Sequence, residues 1–224
     1  MSTEAQSRIP LINEPAPEFQ AKSTQGVIKL SDYTSKGKYV LLFSHPADFT
    51  PVCTTEFVEF ARRSDDFEKL NVQLIGVSVD SIYSHIAWVR DIEELGGVKV
   101  KFPVVADLDT KVAQAYGLIH SAASDTAPVR AVFAIDPKQT VRAIIYYPQQ
   151  LGRNIDELIR VFQGLQTIDA NAVSVPANWQ PGEDVIVPAP ATVDDAARRT
   201  NGGGAGLKVE RWYLSKKDLA GAQK

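Results

Sequence analysis

The sequence contains a single cysteine, Cys53, among its 224 residues. No disulfide can form within one chain, whereas secreted domains more often hold paired cysteines. If Cys53 is oxidised in function, the chain offers no second thiol to reduce it, so an external thiol or another reductant is required. The scarcity of cysteine favours a reducing compartment, and we expect a cytoplasmic protein.

The sequence also lacks a strong charge bias and a long apolar run. Its formal net charge is −3 and its Lys and Arg residues do not cluster, so no basic surface for nucleic acid is predicted. No apolar run approaches the roughly 20 residues that span a bilayer, and residues 1–8 are polar, unlike a secretory signal. We expect a soluble protein with neither a nucleic-acid partner nor membrane insertion.

Histidine is scarce too. Its three copies, His45, His85 and His120, are spread along the chain. A metal site usually shows in sequence as His, Cys or carboxylate residues at ligand spacing, and we find no such local cluster. The sequence therefore predicts no metal and no other cofactor.

The stretch around Cys53 has the pattern of a corner between a strand and a helix. The short apolar run 39–43 is typical of a buried strand, and helical spacing of apolar residues follows from Glu56 to Leu70. Pro51 suits the first helical position, and Thr50 before it is a good N-cap. Cys53 then lies in the first turn, where unpaired N–H groups and the helix dipole favour a thiolate.

Two interpretations of Cys53 remain open at this point. A lone cysteine is often a small buried hydrophobic residue with no chemistry. Here polar residues flank it, including Asp48, Thr54 and Glu56, and two prolines fix the backbone that leads to it. These neighbours favour a reactive cysteine over an inert one.

Residues 46–53, Pro-Ala-Asp-Phe-Thr-Pro-Val-Cys, resemble the Pro-x-x-x-Thr-x-x-Cys peroxidatic motif of the peroxiredoxins, the AhpC/TSA family. His45 directly before this motif and the run Pro-Val-Cys-Thr-Thr-Glu at 51–56 are similar to the one-cysteine, peroxiredoxin-6-like subfamily. A C-terminal extension with no second cysteine fits that subfamily as well. The resemblance runs from about Leu11 to about Leu214 and is weakest at 194–206.

The resemblance implies roles for four residues. Cys53 would attack the peroxide O–O bond and become a sulfenic acid, Thr50 would offer its hydroxyl to the peroxide, and Pro46 would shield the pocket from water. Arg130, at the start of a predicted strand, matches the arginine that family members place beside the thiolate. A fixed guanidinium there favours the thiolate and donates hydrogen bonds in the transition state. Without the resemblance, an arginine in front of a strand is more often a solvated surface charge.

Three further residues would support the site. Glu56 resembles the acidic residue that orients the active-site arginines, and Arg153 resembles a second arginine of the family. His45 has two possible roles: it could hold the thiolate or the peroxide, or it could be a packed histidine that donates to the backbone.

The sequence departs from the family in one informative region. Mammalian members of the subfamily carry a lipase-like Gly-x-Ser-x-Gly motif and are described as phospholipases as well. Here that region, 35–39, reads Ser-Lys-Gly-Lys-Tyr, and the partner positions are Asp32 and Lys138. Without a nucleophilic hydroxyl and its base, acyl transfer cannot be activated, so no phospholipase activity is expected.

Strands and helices alternate through the first 170 residues. The buried runs 39–43 and 72–79 each precede a helical segment, the second from Ser81 to Leu95, which predicts parallel strands joined by helices. The remaining predicted elements are a hairpin at 24–30, an extended piece at 102–106, a helix at 110–116, an antiparallel hairpin at 130–136 and 141–147, and an amphipathic helix at 154–168. This order matches an α/β, thioredoxin-like fold, a mixed sheet flanked by helices, which the resemblance also implies.

The composition changes after Ala170, so we predict a peroxidase domain over 1–170 and a C-terminal extension over 171–224. The extension is rich in proline and glycine, with a short helix predicted at 193–199 and a strand at 208–214. Its tryptophans are too apolar for a solvated tail. The resemblance implies an arm that packs across a homodimer partner near the active site.

The function that the resemblance implies is thiol-dependent reduction of hydrogen peroxide and organic hydroperoxides, with an external reductant, in antioxidant defence. An alternative without turnover is a peroxide sensor or holdase chaperone. A thioredoxin-like oxidoreductase would need Cys-x-x-Cys, but the third residue after Cys53 is Glu56. A cysteine hydrolase would need one of the three histidines as a general base beside Cys53.

Overall fold

The structure is a computed structural model that describes residues 8–202, 204 and 206–219. These residues form two compact units, which divide between Ile155 and Asp156. Among the described residues, no helix has both the length and the apolar character needed to cross a bilayer. The domain boundary expected near residue 170 stays a prediction.

A seven-stranded mixed sheet forms the centre of the N-terminal unit. Its strands are β1 (Gln20–Ser23), β2 (Gly26–Lys29), β3 (Tyr39–Ser44), β4 (Val72–Ser78), β5 (Val104–Ala106), β6 (Arg130–Ile135) and β7 (Val141–Tyr147). They lie in the order β2-β1-β5-β4-β3-β6-β7. The pairs β3/β4 and β4/β5 are parallel, and β6 runs antiparallel to both β3 and β7. The predicted thioredoxin-like fold is confirmed.

Helices of the N-terminal unit lie between these strands, and the sequence pattern predicted those that begin near residues 51, 82 and 111. They are α1 (Ser31–Thr34), α2 (Pro51–Arg62), α3 (Ser64–Lys69), α4 (Ile82–Gly96) and α5 (Lys111–Ala115). Helix α4 begins after Ser81, whose hydroxyl accepts a hydrogen bond from the Ser84 backbone N–H, and ends at Gly97, which has φ of 59°. A positive φ at that position favours glycine, so both ends of α4 follow from its sequence.

The single helix expected between Glu56 and Leu70 is wrong, because the chain breaks at Arg63 into α2 and α3. Arg63 has φ of −95° and ψ of 4°, outside helical geometry. Ser64 donates its hydroxyl to the Ala61 carbonyl, a side-chain bond that competes with the helical ladder. Two acidic residues, Asp65 and Asp66, then suit the start of a new helix.

Aromatic packing holds α2 against the sheet. Phe43 of β3 is fully buried and stacks on Phe60 of α2 with 4.2 Å between ring centroids. At Gly76 in β4, an added Cβ would lie 3.1 Å from the Phe57 ring and 3.3 Å from the Phe43 ring. The close approach of these two rings favours glycine there, and the ring packing holds the helix that carries Cys53.

The C-terminal unit consists of α6 (Ile155–Asn171), most of which belongs to it, and a small sheet with a further helix. The other elements are β8 (Val185–Val187), α7 (Val193–Thr200), β9 (Leu207–Arg211) and β10 (Leu214–Lys217). Strand β10 pairs antiparallel with both β8 and β9. The buried side chains of Val173, Trp179 and Val185 form its apolar cluster. The predicted helices at 154–168 and 193–199 are therefore confirmed.

The single strand expected at 208–214 is wrong. The chain turns at Trp212 and Tyr213, so that β9 and β10 form a hairpin with Arg211 opposite Leu214. No glycine, asparagine or proline marks this turn. The sequence pattern therefore predicted one strand where the structure has two, and it did not predict β8.

Candidate active site

Cys53 lies at the corner between β3 and α2. Thr50 is extended, with φ of −104° and ψ of 146°, and Pro51 begins the helix, as predicted. The Thr50 hydroxyl does not cap the helix but donates to the Ala47 carbonyl at 2.9 Å. Cys53 is the third residue of α2 and is fully buried. Its sulfur therefore lies inside the protein, at the positive end of the helix.

Arg130 approaches Cys53 from the first residue of β6. Its Nη1 donates to Sγ of Cys53 at 3.3 Å and to Oε2 of Glu56 at 2.7 Å, and its Nε donates to the Gln149 carbonyl at 2.9 Å. Arg130 is only 2% exposed, so its guanidinium is not a solvated surface charge. The Glu56 carboxylate and the Gln149 carbonyl hold it against the sulfur.

Arg153 completes the charged group around Glu56. Its Nε and its backbone N–H both lie 2.9 Å from Oε1, and its Nη2 lies 2.6 Å from Oε2. Its Nη1 donates to the carbonyl groups of Ser44 and Ala131, which belong to neighbouring strands. Arg153 does not contact the sulfur in these hydrogen bonds; it holds Glu56, and Glu56 holds Arg130.

Glu56 is ionised despite its burial. Burial alone would raise the pKa of this carboxyl, but the charge and hydrogen bonds of Arg153, with Arg130 beside it, keep the pKa below its ordinary value. Two guanidinium cations and one carboxylate leave one buried positive charge uncompensated. A negative charge beside Arg130 would compensate it.

The structure places His45 in the interior, where its side chain is fully buried. Its Nε2 hydrogen-bonds Oδ1 of Asp48 at 3.0 Å, and its ring packs on Phe57 and Trp88. Burial lowers the pKa of His45 although Asp48 opposes that effect. It is a packed histidine, as one of the two interpretations held, but its partner is a carboxylate rather than the backbone.

Sequence reasoning missed His85, which the fold brings to Asp48. Its Nδ1 lies 2.8 Å from Oδ2 of Asp48, and the donor atoms of His45, Asp48 and His85 all lie within 4.8 Å of one another. The spacing of the histidines along the sequence therefore did not reveal this spatial cluster. His85 and Asp48 are 37 positions apart, so only the packing of α4 reveals their contact.

The structure also shows where the other predicted residues lie. Pro46 and Thr50 are half-buried on the loop of residues 45–50, which joins β3 to α2. His120 lies elsewhere, with its ring 5.2 Å from that of Tyr146. The structure thus brings Cys53, Glu56, Arg130 and Arg153 into one hydrogen-bonded group, with Pro46 and Thr50 on the adjoining loop.

Comparison with known sequences extends over nearly the whole chain. The profile of the AhpC/TSA family matches residues 12–144, and that of the C-terminal domain of 1-Cys peroxiredoxin matches residues 164–202. Peroxiredoxin 2 of Picrophilus torridus is 52% identical over 203 residues, which cover 91% of this chain and 96% of that protein. A peroxiredoxin of Aquifex aeolicus is 50% identical, covering 94% and 98% of the two chains.

Solved structures agree with this similarity. The yeast mitochondrial 1-Cys peroxiredoxin superposes with a TM-score of 0.82 at 40% identity, over 94% of this chain and all of that one. A cysteine-to-serine mutant of peroxiredoxin 6 from Arenicola marina gives a TM-score of 0.82 at 32% identity, over 93% and 97% of the two chains. The chain therefore belongs to the AhpC/TSA family, in its one-cysteine, peroxiredoxin-6-like subfamily, and is a thiol peroxidase.

Proposed function

We propose that this peroxidase reduces hydrogen peroxide and small organic hydroperoxides through a sulfenic acid at Cys53, which an external thiol then reduces. The observation that carries the proposal is the contact of Arg130 with Cys53, 3.3 Å from Nη1 to Sγ, with Glu56 holding the same nitrogen. A guanidinium fixed beside the sulfur can stabilise both the thiolate and the charge that develops on the peroxide oxygens.

The first half-reaction oxidises the sulfur. The Cys53 thiolate attacks one peroxide oxygen, an S–O bond forms as the O–O bond breaks, and the leaving oxygen takes a proton and departs as water or an alcohol. Arg130 donates hydrogen bonds to the oxygens during this step. The Thr50 hydroxyl, whose proton points to the Ala47 carbonyl, has lone pairs left to accept the peroxide O–H. Pro46, half-buried on the same loop, shields the site from water.

The second half-reaction needs a thiol from outside the chain, since Cys53 is the only cysteine. One thiol condenses with the sulfenic acid to give a mixed disulfide and water; a second thiol attacks that disulfide, forms the disulfide of the reductant and releases the Cys53 thiol. The related yeast protein is described as resolved by glutathione and thioredoxin systems. We propose the same chemical classes, a small thiol or a dithiol protein, as reductants here. Because Cys53 is fully buried, the first turn of α2 must open to admit them.

We also propose a homodimer in which the C-terminal extension covers a partner near its active site. Large apolar side chains are exposed on the C-terminal unit, among them Val193 at 85%, Trp212 at 47% and Tyr213 at 54%. A soluble protein gains from covering such side chains with another surface. Light scattering after gel filtration tests this: the double change Trp212→Ser with Tyr213→Ser should weaken a dimer, and a monomeric wild-type protein would refute it.

The proposed activity is tested by mixing the reduced protein with one equivalent of hydrogen peroxide in a stopped-flow instrument. We expect oxidation far faster than that of a free thiol, one dimedone adduct at Cys53 by mass spectrometry, and neither signal in Cys53→Ser. A rate equal to that of free cysteine would refute the proposal. Repeated turnover with added thiol separates a peroxidase from the alternative of a sensor or holdase, which requires only one oxidation. We also propose an antioxidant role from the peroxidase activity, and a cytoplasmic location from the single cysteine.

A further inference from the structure

A buried cluster of His45, Asp48 and His85, which we name the triad, lies beside the loop of residues 45–50. Its three side chains are at most 1% exposed. The Asp48 carboxylate is shared between the two rings: Oδ1 lies 3.0 Å from Nε2 of His45, and Oδ2 lies 2.8 Å from Nδ1 of His85. None of these three groups contacts the reacting sulfur in the chemistry derived above, and their role is unassigned.

Hydrogen-bond partners fix the number of protons on His85. Its Nε2 lies 3.0 Å from the Val105 carbonyl, which can only accept, so Nε2 carries a proton. At the other side of the ring, Nδ1 faces Oδ2 of Asp48 at 2.8 Å, where two lone pairs would repel. A proton must therefore lie between them, and it belongs to the ring because the pKa of the Asp48 carboxyl lies below its usual range. His85 thus holds a proton on each side, and the pair with Asp48 is a buried imidazolium and carboxylate.

The remaining groups around the triad agree with this assignment. Hydrogen bonds from His45 and His85 keep the pKa of Asp48 below its usual range, against the effect of burial. Burial keeps His45 neutral, so that it donates through Nε2, and its Nδ1 has no hydrogen-bond partner among the described residues. Asp80 also faces the loop, but its carboxylate accepts from the Ser78 hydroxyl and the Asp48 backbone N–H. One imidazolium and one carboxylate leave the triad neutral.

A metal ion at this place is less consistent with the geometry. Two histidines and a carboxylate are acceptable ligands, but a site with three protein ligands keeps an open position for water or substrate, and these side chains are at most 1% exposed. The short contacts between the rings and Asp48 are those of charge-assisted hydrogen bonds. A proton between Nδ1 and Oδ2 accounts for them without a further group.

The triad ties the loop of residues 45–50 to three elements of the scaffold. The Asp48 carboxylate is hydrogen-bonded to His85, which belongs to α4. The other nitrogen of the same ring is hydrogen-bonded to the Val105 carbonyl of β5. The backbone N–H of Asp48 donates to Asp80 at 3.1 Å, just beyond β4. The loop carries Pro46 and Thr50, so these contacts set the position of both.

We propose that the His85 imidazolium is a positioning residue, which through its ion pair with Asp48 holds the loop so that Thr50 and Pro46 meet the peroxide correctly. The inference rests on the proposed function, because the loop is taken to contact the peroxide. Misplacement of a positioned group by about 1 Å costs up to about a hundred-fold in rate. The ion pair should therefore affect the oxidation rate although it does not touch Cys53.

The test compares Asp48→Asn with the wild-type protein. The asparagine amide can donate to Nδ1 of His85 and still accept from His45, so the shape is kept and the ion pair is lost. We expect ¹⁵N spectra of histidine-labelled wild-type protein to show both His85 ring nitrogens protonated, and those of D48N to show one. The peroxide rate of D48N should fall about ten- to a hundred-fold, while alkylation of Cys53 by iodoacetamide, which needs no peroxide positioning, does not fall.

Asp107→Asn is the matched control, since Asp107 is also a buried carboxylate with two hydrogen bonds, from the backbone N–H groups of Val112 and Ala113. It should lower stability and leave the peroxide rate of the folded protein unchanged. If D48N does not fold, His85→Gln provides the same rate comparison. A single proton on His85, a stoichiometric metal by elemental analysis, or a wild-type rate in the triad variant would overturn the inference. If the proposed function itself is wrong, the wild-type protein will react with peroxide no faster than a free thiol, whatever the variants do.

Discussion

The Nη1 nitrogen of Arg130 lies 3.3 Å from Sγ of Cys53, and this contact joins the start of β6 to the first turn of α2. The same nitrogen donates to Glu56, and Nε donates to the Gln149 carbonyl, so the guanidinium is held before any peroxide arrives. Donors that are fixed in advance need no reorganisation during the reaction. The rate of sulfur oxidation should therefore depend on Arg130 more than on any other cation of the site.

Replacement of Arg130 by glutamine should slow the reaction of Cys53 with hydrogen peroxide by about a hundred- to a thousand-fold, the cost of removing one preorganised donor. Arg142→Gln is a suitable control, because Arg142 pairs with Asp136 at the opposite end of the β6/β7 ladder. An unchanged stopped-flow rate in R130Q would remove Arg130 from the site.

Glu56→Gln should destabilise the protein by about 3–5 kcal/mol, the usual cost of breaking a buried ion pair from one side. The new amide N–H group would face guanidinium donors, and the two buried arginines would lose their counter-charge. Glu59→Gln on the same helix is the matched control: its ion pair with Arg62 is exposed, so about 0–1 kcal/mol is expected. Urea unfolding measures both. Equal effects of the two changes would contradict the buried network.

The stabilisation from Glu56 should also depend on pH in a defined direction. The pKa of Glu56 in the folded protein lies below its ordinary value of 4.5 because Arg153 and Arg130 offset burial. A lowered folded pKa gives stability that is complete above the unfolded value and is lost as the pH falls through the folded value.

The difference in unfolding free energy between the wild-type protein and E56Q should thus be constant above pH 4.5 and shrink below it. Other carboxylates with lowered pKa values, such as Asp48, titrate in both proteins and cancel in the comparison. Urea unfolding at a series of pH values measures the difference. A gap that stays constant or widens in acid would contradict the sign.

The sequence predicted those parts of the fold and site that depend on neighbouring residues. A buried run at β3, proline at the first position of α2 and glycine after α4 are local signals, and each was confirmed. Arg130 and Arg153 came from the resemblance alone, because a pattern of residues does not show whether an arginine before a strand or a helix is buried. The contact of Asp48 with His85 needed the packing of α4, which no spacing reveals.

Thr50→Val should slow peroxide attack by about ten- to a hundred-fold, since valine keeps the shape of threonine but offers no oxygen to a peroxide held at a fixed position. Thr50→Ser should retain most of the rate. Thr55→Val is the matched control, because Thr55 also donates its hydroxyl to the carbonyl three residues before it, but from an exposed position. Stopped-flow oxidation compares the three variants. If the two valine variants react at the same rate, Thr50 acts only through its local hydrogen bond and does not contact the peroxide.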